Sequence, residues 1–121
     1  MPPAAILVVD DDPEVRELVS QTLQLAGHHV ETADDGEAAL AALERRAFDL
    51  VVSDIQMPRL DGIGLYREAV RRDARLTRRF IFVTGSALTQ EAQDFARMTG
   101  LPLLPKPFSI DALRRLVQER L

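Results

Sequence analysis

Five short apolar runs, each leading into a stretch of helical periodicity, constrain the fold of this chain more than any other feature. The first, Ile6-Leu7-Val8-Val9, ends in Asp10-Asp11-Asp12-Pro13. Pro13 suits the first turn of a helix, where its missing N–H would go unpaired anyway. Val15, Leu18, Val19, Thr22, Leu23 and Ala26 follow at helical spacing, and Gly27 stops that helix. His28 to Ala33 reads as a second strand, followed by a turn in which Asp35 is placed to cap a helix carrying Ala38, Ala39, Leu40, Ala42 and Leu43. Leu50-Val51-Val52-Ser53 has no polar alternation, as expected of a strand buried on both faces, and it delivers Asp54 just before Pro58.

The pattern then repeats. Ile63, Leu65, Tyr66, Ala69 and Val70 suggest a third helix closing in the arginine-rich segment Arg71 to Arg79. Phe80-Ile81-Phe82-Val83 is another doubly buried strand, ending at Thr84-Gly85-Ser86, and Thr89 caps the helix that Gly100 ends. Leu101 to Leu104 is a short strand that Pro102 demotes to a sheet edge; after the corner Pro105-Lys106-Pro107-Phe108, Ser109 caps a last helix. Strand and helix alternating five times dictate an α/β fold with a parallel sheet and helices on both faces. Right-handed crossovers leave few arrangements, and the common one is the flavodoxin-like (βα)5 with strand order 2-1-3-4-5.

The length of 121 residues suits one domain, 1–121, and a composition 46% hydrophobic and 28% charged argues against a disordered chain. A net charge of −4 argues against direct nucleic-acid binding, which needs a surplus of basic residues facing phosphates. With no cysteine, thiolate chemistry and cysteine zinc sites are excluded, which fits a cytoplasmic location. No targeting signal is found, and no apolar segment approaches the ~20 residues needed for membrane insertion. Fourteen of the fifteen basic residues are Arg, leaving Lys106 as the single lysine.

In the 2-1-3-4-5 order the ligand crevice lies beyond the carboxyl ends of strands 1 and 3. Asp10, Asp11 and Asp54 are thereby expected in one pocket, with Thr84 and Lys106 arriving from strands 4 and 5. Three carboxylates about 4 Å apart repel by several kcal/mol per pair at an effective dielectric near 20, so a positive charge belongs among them. A hard divalent cation such as Mg²⁺ suits all-oxygen ligands, and Lys106 supplies a second positive charge. Metal, ammonium and the Thr84 hydroxyl together complement a phosphoryl group, for which Asp54 is the candidate nucleophile.

These residues carry a resemblance over essentially the whole chain. Ile6 to Pro13, Ser53-Asp54-Ile55-Gln56-Met57-Pro58 with Asp61-Gly62, Val83-Thr84-Gly85 and Lys106-Pro107-Phe108 together resemble the receiver domain of two-component response regulators. The resemblance implies a signalling domain rather than a turnover enzyme, in which Asp54 accepts phosphate from a phosphohistidine on a histidine kinase or histidine phosphotransfer protein. It implies that Asp11 and Asp54 bind Mg²⁺ directly, Asp10 through water and Gln56 through its backbone carbonyl. It places Thr84 and Lys106 on the phosphoryl oxygens, makes Lys106-Pro107 cis, and gives Gln56 and Ser86 influence over the lifetime of the phosphate. One departure stands out: three residues before the lysine the family often has Tyr or Phe, and this chain has Leu103. The stretch from Gly100 to Phe108 is more similar to receivers attached to hybrid sensor kinases.

Other readings compete. A haloacid-dehalogenase-type phosphatase also uses an aspartyl nucleophile but wants a second Asp two residues on, where this chain has Gln56. A pseudo-receiver that binds proteins without phosphorylation would not need every acid, hydroxyl and ammonium position filled. Asp12 is expected at the start of the first helix rather than on the metal, and His28-His29 at a turn-to-strand junction rather than in a metal site. Arg71, Arg72, Arg75, Arg78 and Arg79 are expected to be a solvated helix end rather than a nucleic-acid patch. Tyr66, Phe80, Phe82 and Phe95 are expected in the core. Because the chain closes on its last helix, it is read as either free-standing or a piece of something larger.

Overall fold

The computed structural model describes residues 3–85 and 89–121. Along the chain run β1 (Ala5–Val9), α1 (Pro13–Leu25), β2 (His29–Ala33), α2 (Gly36–Arg45), β3 (Leu50–Ser53), α3 (Gly62–Arg72), a 3-10 turn (Ala74–Arg78), β4 (Phe80–Thr84), α4 (Gln90–Thr99), β5 (Leu103–Pro105) and α5 (Ile110–Arg120). The strands form one sheet in the order β2-β1-β3-β4-β5, with every neighbouring pair parallel. This is the expected architecture.

Period-two alternation along the central strands divides the core into two layers. Leu7, Val9, Val51, Phe80 and Phe82 pack against α2, α3 and α4 through residues such as Ala39, Leu65, Tyr66 and Phe95. Ile6, Val8, Leu50, Val52, Ile81 and Val83 pack against α1 and α5 through Val19, Leu23, Leu113 and Val117. Tyr66 meets Phe80 and Phe95 edge-on, with ring centroids 5.0 and 5.4 Å away, and its hydroxyl donates to the Thr77 carbonyl at 2.8 Å. The aromatic residues expected in the core are there.

Each helix begins on a capping side chain. Asp12, Asp35, Asp61, Thr89 and Ser109 accept from the backbone N–H of Glu14, Ala38, Gly64, Ala92 and Ala112, each cap being worth about 1 kcal/mol. Gly100 closes α4 at φ 71°, a left-handed conformation that side chains disfavour.

The third helix closes inside the arginine-rich segment as expected, and the last strand is shifted from expectation. The last strand starts at Leu103, because Pro102 has no N–H for the ladder; its carbonyl instead accepts from Phe82 N–H at 3.0 Å, and β5 does lie at the sheet edge. The third helix stops at Arg72, where Asp73 caps the 3-10 turn by accepting from Arg75 N–H. Arg71 and Arg72 both bond Glu68, and these guanidiniums hold its carboxyl down, to about 2. The arginine cluster is thus an exposed and largely paired helix end. His28 Nδ1 accepts from Ala4 N–H at 3.1 Å, a structural bond at the junction before β2. Among the described residues no helix is long and apolar enough to cross a membrane.

Candidate functional site

Parallel strands deliver their carboxyl ends to one edge of the sheet. Val9 and Ser53 are register partners, and Asp54 N–H donates to the Val9 carbonyl at 2.9 Å, so Asp10 and Asp54 emerge side by side. Asp10, Asp11 and Asp54 each present a carboxylate oxygen, and the three oxygens lie within 4.8 Å of one another. Asp10 and Asp54 are buried, while Asp11 is exposed.

Lys106 joins two of the acids. Its Nζ donates to Asp10 Oδ2 at 2.9 Å and to Asp54 Oδ2 at 3.0 Å. The other oxygens of this pair are held by backbone: Asp54 Oδ1 accepts from Ile55 N–H at 2.6 Å and Gln56 N–H at 3.3 Å, and Asp10 Oδ1 from Asp12 N–H at 2.9 Å. Burial pushes the Asp10 carboxyl above its usual range, against the bond from Lys106. Burial alone would lower the Lys106 ammonium, but its bonds to Asp10 and Asp54 and their charges together outweigh this, so its pKa lies above the ordinary lysine value. One ammonium against three carboxylates leaves an excess of negative charge on hard oxygen donors, which fits a hard divalent cation.

Thr84 ends β4, fully buried and in register with Pro105, and its carbonyl accepts from Lys106 N–H at 3.0 Å. The threonine and the lysine therefore stand at the same edge through main-chain pairing. Gln56 has an exposed side chain, and its N–H touches Asp54. Asp12 stays out of the carboxylate cluster and caps α1. The Lys106-Pro107 peptide is cis. Ser86 lies outside the described residues.

Two supports of the site have no clear mark in the sequence. Gly62 is packed so tightly under Asp54 that a Cβ there would lie 2.1 Å from the Asp54 carbonyl oxygen, and its N–H donates to the Ile55 carbonyl at 2.7 Å. The Asp61-Gly62 pair was the available signal. Arg59, at φ 68°, pairs with Asp35 and ties the loop after β3 to the start of α2. The Ala38 N–H and then Arg59 hold the Asp35 carboxyl below its usual range.

The family described as response regulator receiver domain matches residues 6–118. This chain belongs to the response-regulator receiver family. The receiver is 39% identical to the sensor histidine kinase RcsC of Salmonella typhi over 110 residues, which are 91% of this chain but 11% of that kinase. It thus spans about a tenth of the length of that relative. Chemotaxis response regulator CheY4 of Vibrio cholerae superposes on the receiver with a TM-score of 0.86 at 34% identity, covering 99% of this chain and all of that one. Response regulator TrrA of Thermotoga maritima, solved in complex with Mg(2+)-BeF, gives 0.80 at 31% identity, covering 97% of this receiver and 98% of TrrA. The fold, the family and the place in two-component signalling agree with the resemblance read from the motifs. Leu103 occupies the departing position, half-buried against the layer that contains Phe82.

Proposed function

We propose that this receiver, read as one domain over residues 1–121, is a phosphoacceptor of a two-component phosphorelay, with Asp54 as the phosphorylated residue. The observation that carries the reading is the lysine ammonium bonded to two buried carboxylates within a cluster of three. In our assignment Asp11 and Asp54 hold Mg²⁺ directly, Asp10 through water and Gln56 through its carbonyl. The bound cation would neutralise phosphoryl oxygens and the acid cluster, as TrrA's complex with Mg(2+)-BeF supports by similarity.

An Asp54 carboxylate oxygen attacks phosphorus, the P–N bond of the partner's phosphohistidine breaks, and its electron pair stays on the imidazole. That ring leaves neutral when its second nitrogen carries a proton. The backbone N–H groups of Ile55 and Gln56 on Oδ1 fix the carboxylate's orientation. Lys106 and the Thr84 hydroxyl are assigned to the phosphoryl oxygens, with Lys106 exchanging its carboxylate bonds for bonds to the incoming group. The partner is a histidine kinase or histidine phosphotransfer protein. With Leu103 in place of an aromatic ring, and with RcsC among its relatives, we read the receiver as the type found in hybrid kinases. A phosphatase of the haloacid-dehalogenase kind lacks support, because Gln56 stands where its second acid would be.

Incubation with Mg²⁺ and a small phosphodonor, followed by intact-mass measurement, tests this reading. The wild type is expected to gain one phosphoryl group, and Asp54→Asn or chelated wild type none. A folded wild type that stays unlabelled by an active donor would overturn it.

A further inference from the structure

A second constellation lies at the opposite pole of the sheet, where the chain enters β3 and β4. The end of α2, the segment 46–49, the end of α3 and the 3-10 turn enclose a groove of about 370 Å³, within the range of small-molecule sites. Its floor is apolar: Phe48, Ala69 and Leu76 are buried, and Leu43 is half-buried beside them. Its rim is basic, with Arg46, Arg72, Arg75 and Arg79 set against only Glu44 and Asp73. On a chain whose net charge is −4, this local surplus of positive charge runs against the whole.

The four arginines are not equivalent. Arg72 is bonded to Glu68 and Glu44, and Arg75 to Asp73. Arg46 instead lies over the Phe48 ring, its guanidinium carbon 5.2 Å from the centroid, and it has no ion pair among the described residues. Arg79 likewise has no ion pair there; its charge reaches Asp73 only at longer range. An apolar floor edged by two guanidiniums that have no ion pair among the described residues is complementary to one chemical class. A flat apolar body can lie against the half-buried Leu40 and Leu43 while its acidic group takes charge-assisted hydrogen bonds from arginine.

We propose that this groove binds a small organic anion, with an aromatic or similarly flat apolar body and a carboxylate, sulfonate or phosphate engaged by Arg46 and Arg79. The limited volume favours a free small molecule over a polypeptide, and the carboxylates of Glu44 and Asp73 limit the anion to a small charge. The site shares no residue with the Asp54 pocket, so it stands or falls independently of phosphorylation.

Titration of the ¹⁵N-labelled chain with naphthalene-2-sulfonate tests the proposal, with 2-naphthalenemethanol and sodium sulfate as separate arms. Saturable amide shifts confined to residues 43–48 and 69–79 are expected with the sulfonate, and at least tenfold weaker binding of either fragment. Arg46→Ser and Arg79→Ser, both at exposed positions, should each weaken the sulfonate about tenfold, the loss of one charge-assisted bond. Glu44→Gln should tighten it severalfold by removing a repelling charge, a gain that structural damage would not produce. Asp54→Asn should bind as the wild type does. No saturable shift, equal binding of sulfate alone, or arginine variants that bind like the wild type would each overturn the proposal.

Discussion

Replacing Gly62 by Ala tests how closely the structure of the Asp54 pocket depends on the helix that follows it. The three atoms nearest a Cβ at this position are all backbone: Asp54 O at 2.1 Å, Ile55 Cα at 2.8 Å and Asp54 C at 3.0 Å. Restoring ordinary non-bonded distances requires the first turn of α3 and the end of β3 to separate by on the order of 1 Å. That movement also opens the 2.7 Å bond from Gly62 N–H to the Ile55 carbonyl. Overpacking costs about 1–3 kcal/mol, and the upper part applies because no side chain can swing aside. Alanine recovers about 0.5–1 kcal/mol through its helix propensity. A net loss of about 2 kcal/mol follows, which lowers a urea midpoint by about 1 M for a slope near 2 kcal/mol/M. Because the displaced atoms belong to Asp54 and Ile55, labelling by a phosphodonor should also slow, by up to about a hundredfold for a 1 Å misplacement. Gly64→Ala is the control: its Cβ meets Leu60 Cδ1, the end of a side chain, at 2.8 Å and no backbone atom that close, so it should cost less than half as much. A Gly62→Ala chain that unfolds at the wild-type urea concentration and labels at the wild-type rate would show that the Asp54 pocket does not depend on this close packing.

Asp11 is exposed within the acid cluster, so Asp11→Asn should raise stability by about 0.5–1 kcal/mol in chelator through relief of repulsion and remove stabilisation by Mg²⁺; thermal melts with and without the ion read both signs. Asp35 has a folded-state pKa below its unfolded value of 3.8, so its ionised form contributes stability that is present above pH 3.8 and lost as pH falls through the lower folded value. Urea melts should accordingly show the gap between wild type and Asp35→Asn shrinking from pH 6 to pH 3. Tyr66→Phe deletes the bond to the Thr77 carbonyl that pins α3 to the 3-10 turn, and should cost about 0.5–1.5 kcal/mol in the same assay with the aromatic packing kept.

The parallel sheet was legible because its apolar strands lack polar alternation and its helices carry caps that can be read locally. Asp12, Asp35, Thr89 and Ser109 all cap as their positions suggest. The juxtaposition of Asp10, Asp11, Asp54 and Lys106 followed from strand order alone, since parallel strands bring residues far apart in sequence to one edge. What the chain does not display locally is geometry that depends on two segments at once. Arg59 in the left-handed region is stable there beside Asp35, and no neighbour in sequence announces that partner. The closeness of Gly62 to the Asp54 backbone is likewise a matter of packing, not of pattern. The arginines of the segment from Arg71 to Arg79 read as a solvated helix end, and most are paired as that reading requires. The groove between them and Phe48 arises only when α2 and α3 pack together.

In the proposed function Asp54 becomes an acyl phosphate. Borohydride reduction converts such an aspartyl phosphate to homoserine, which peptide mapping locates directly. After exposure to a small phosphodonor with Mg²⁺, homoserine is expected at position 54 and nowhere else, and is expected to be lost when the metal is chelated. Homoserine at position 10 or 11, or none in a chain shown to be folded and metal-loaded, would contradict it.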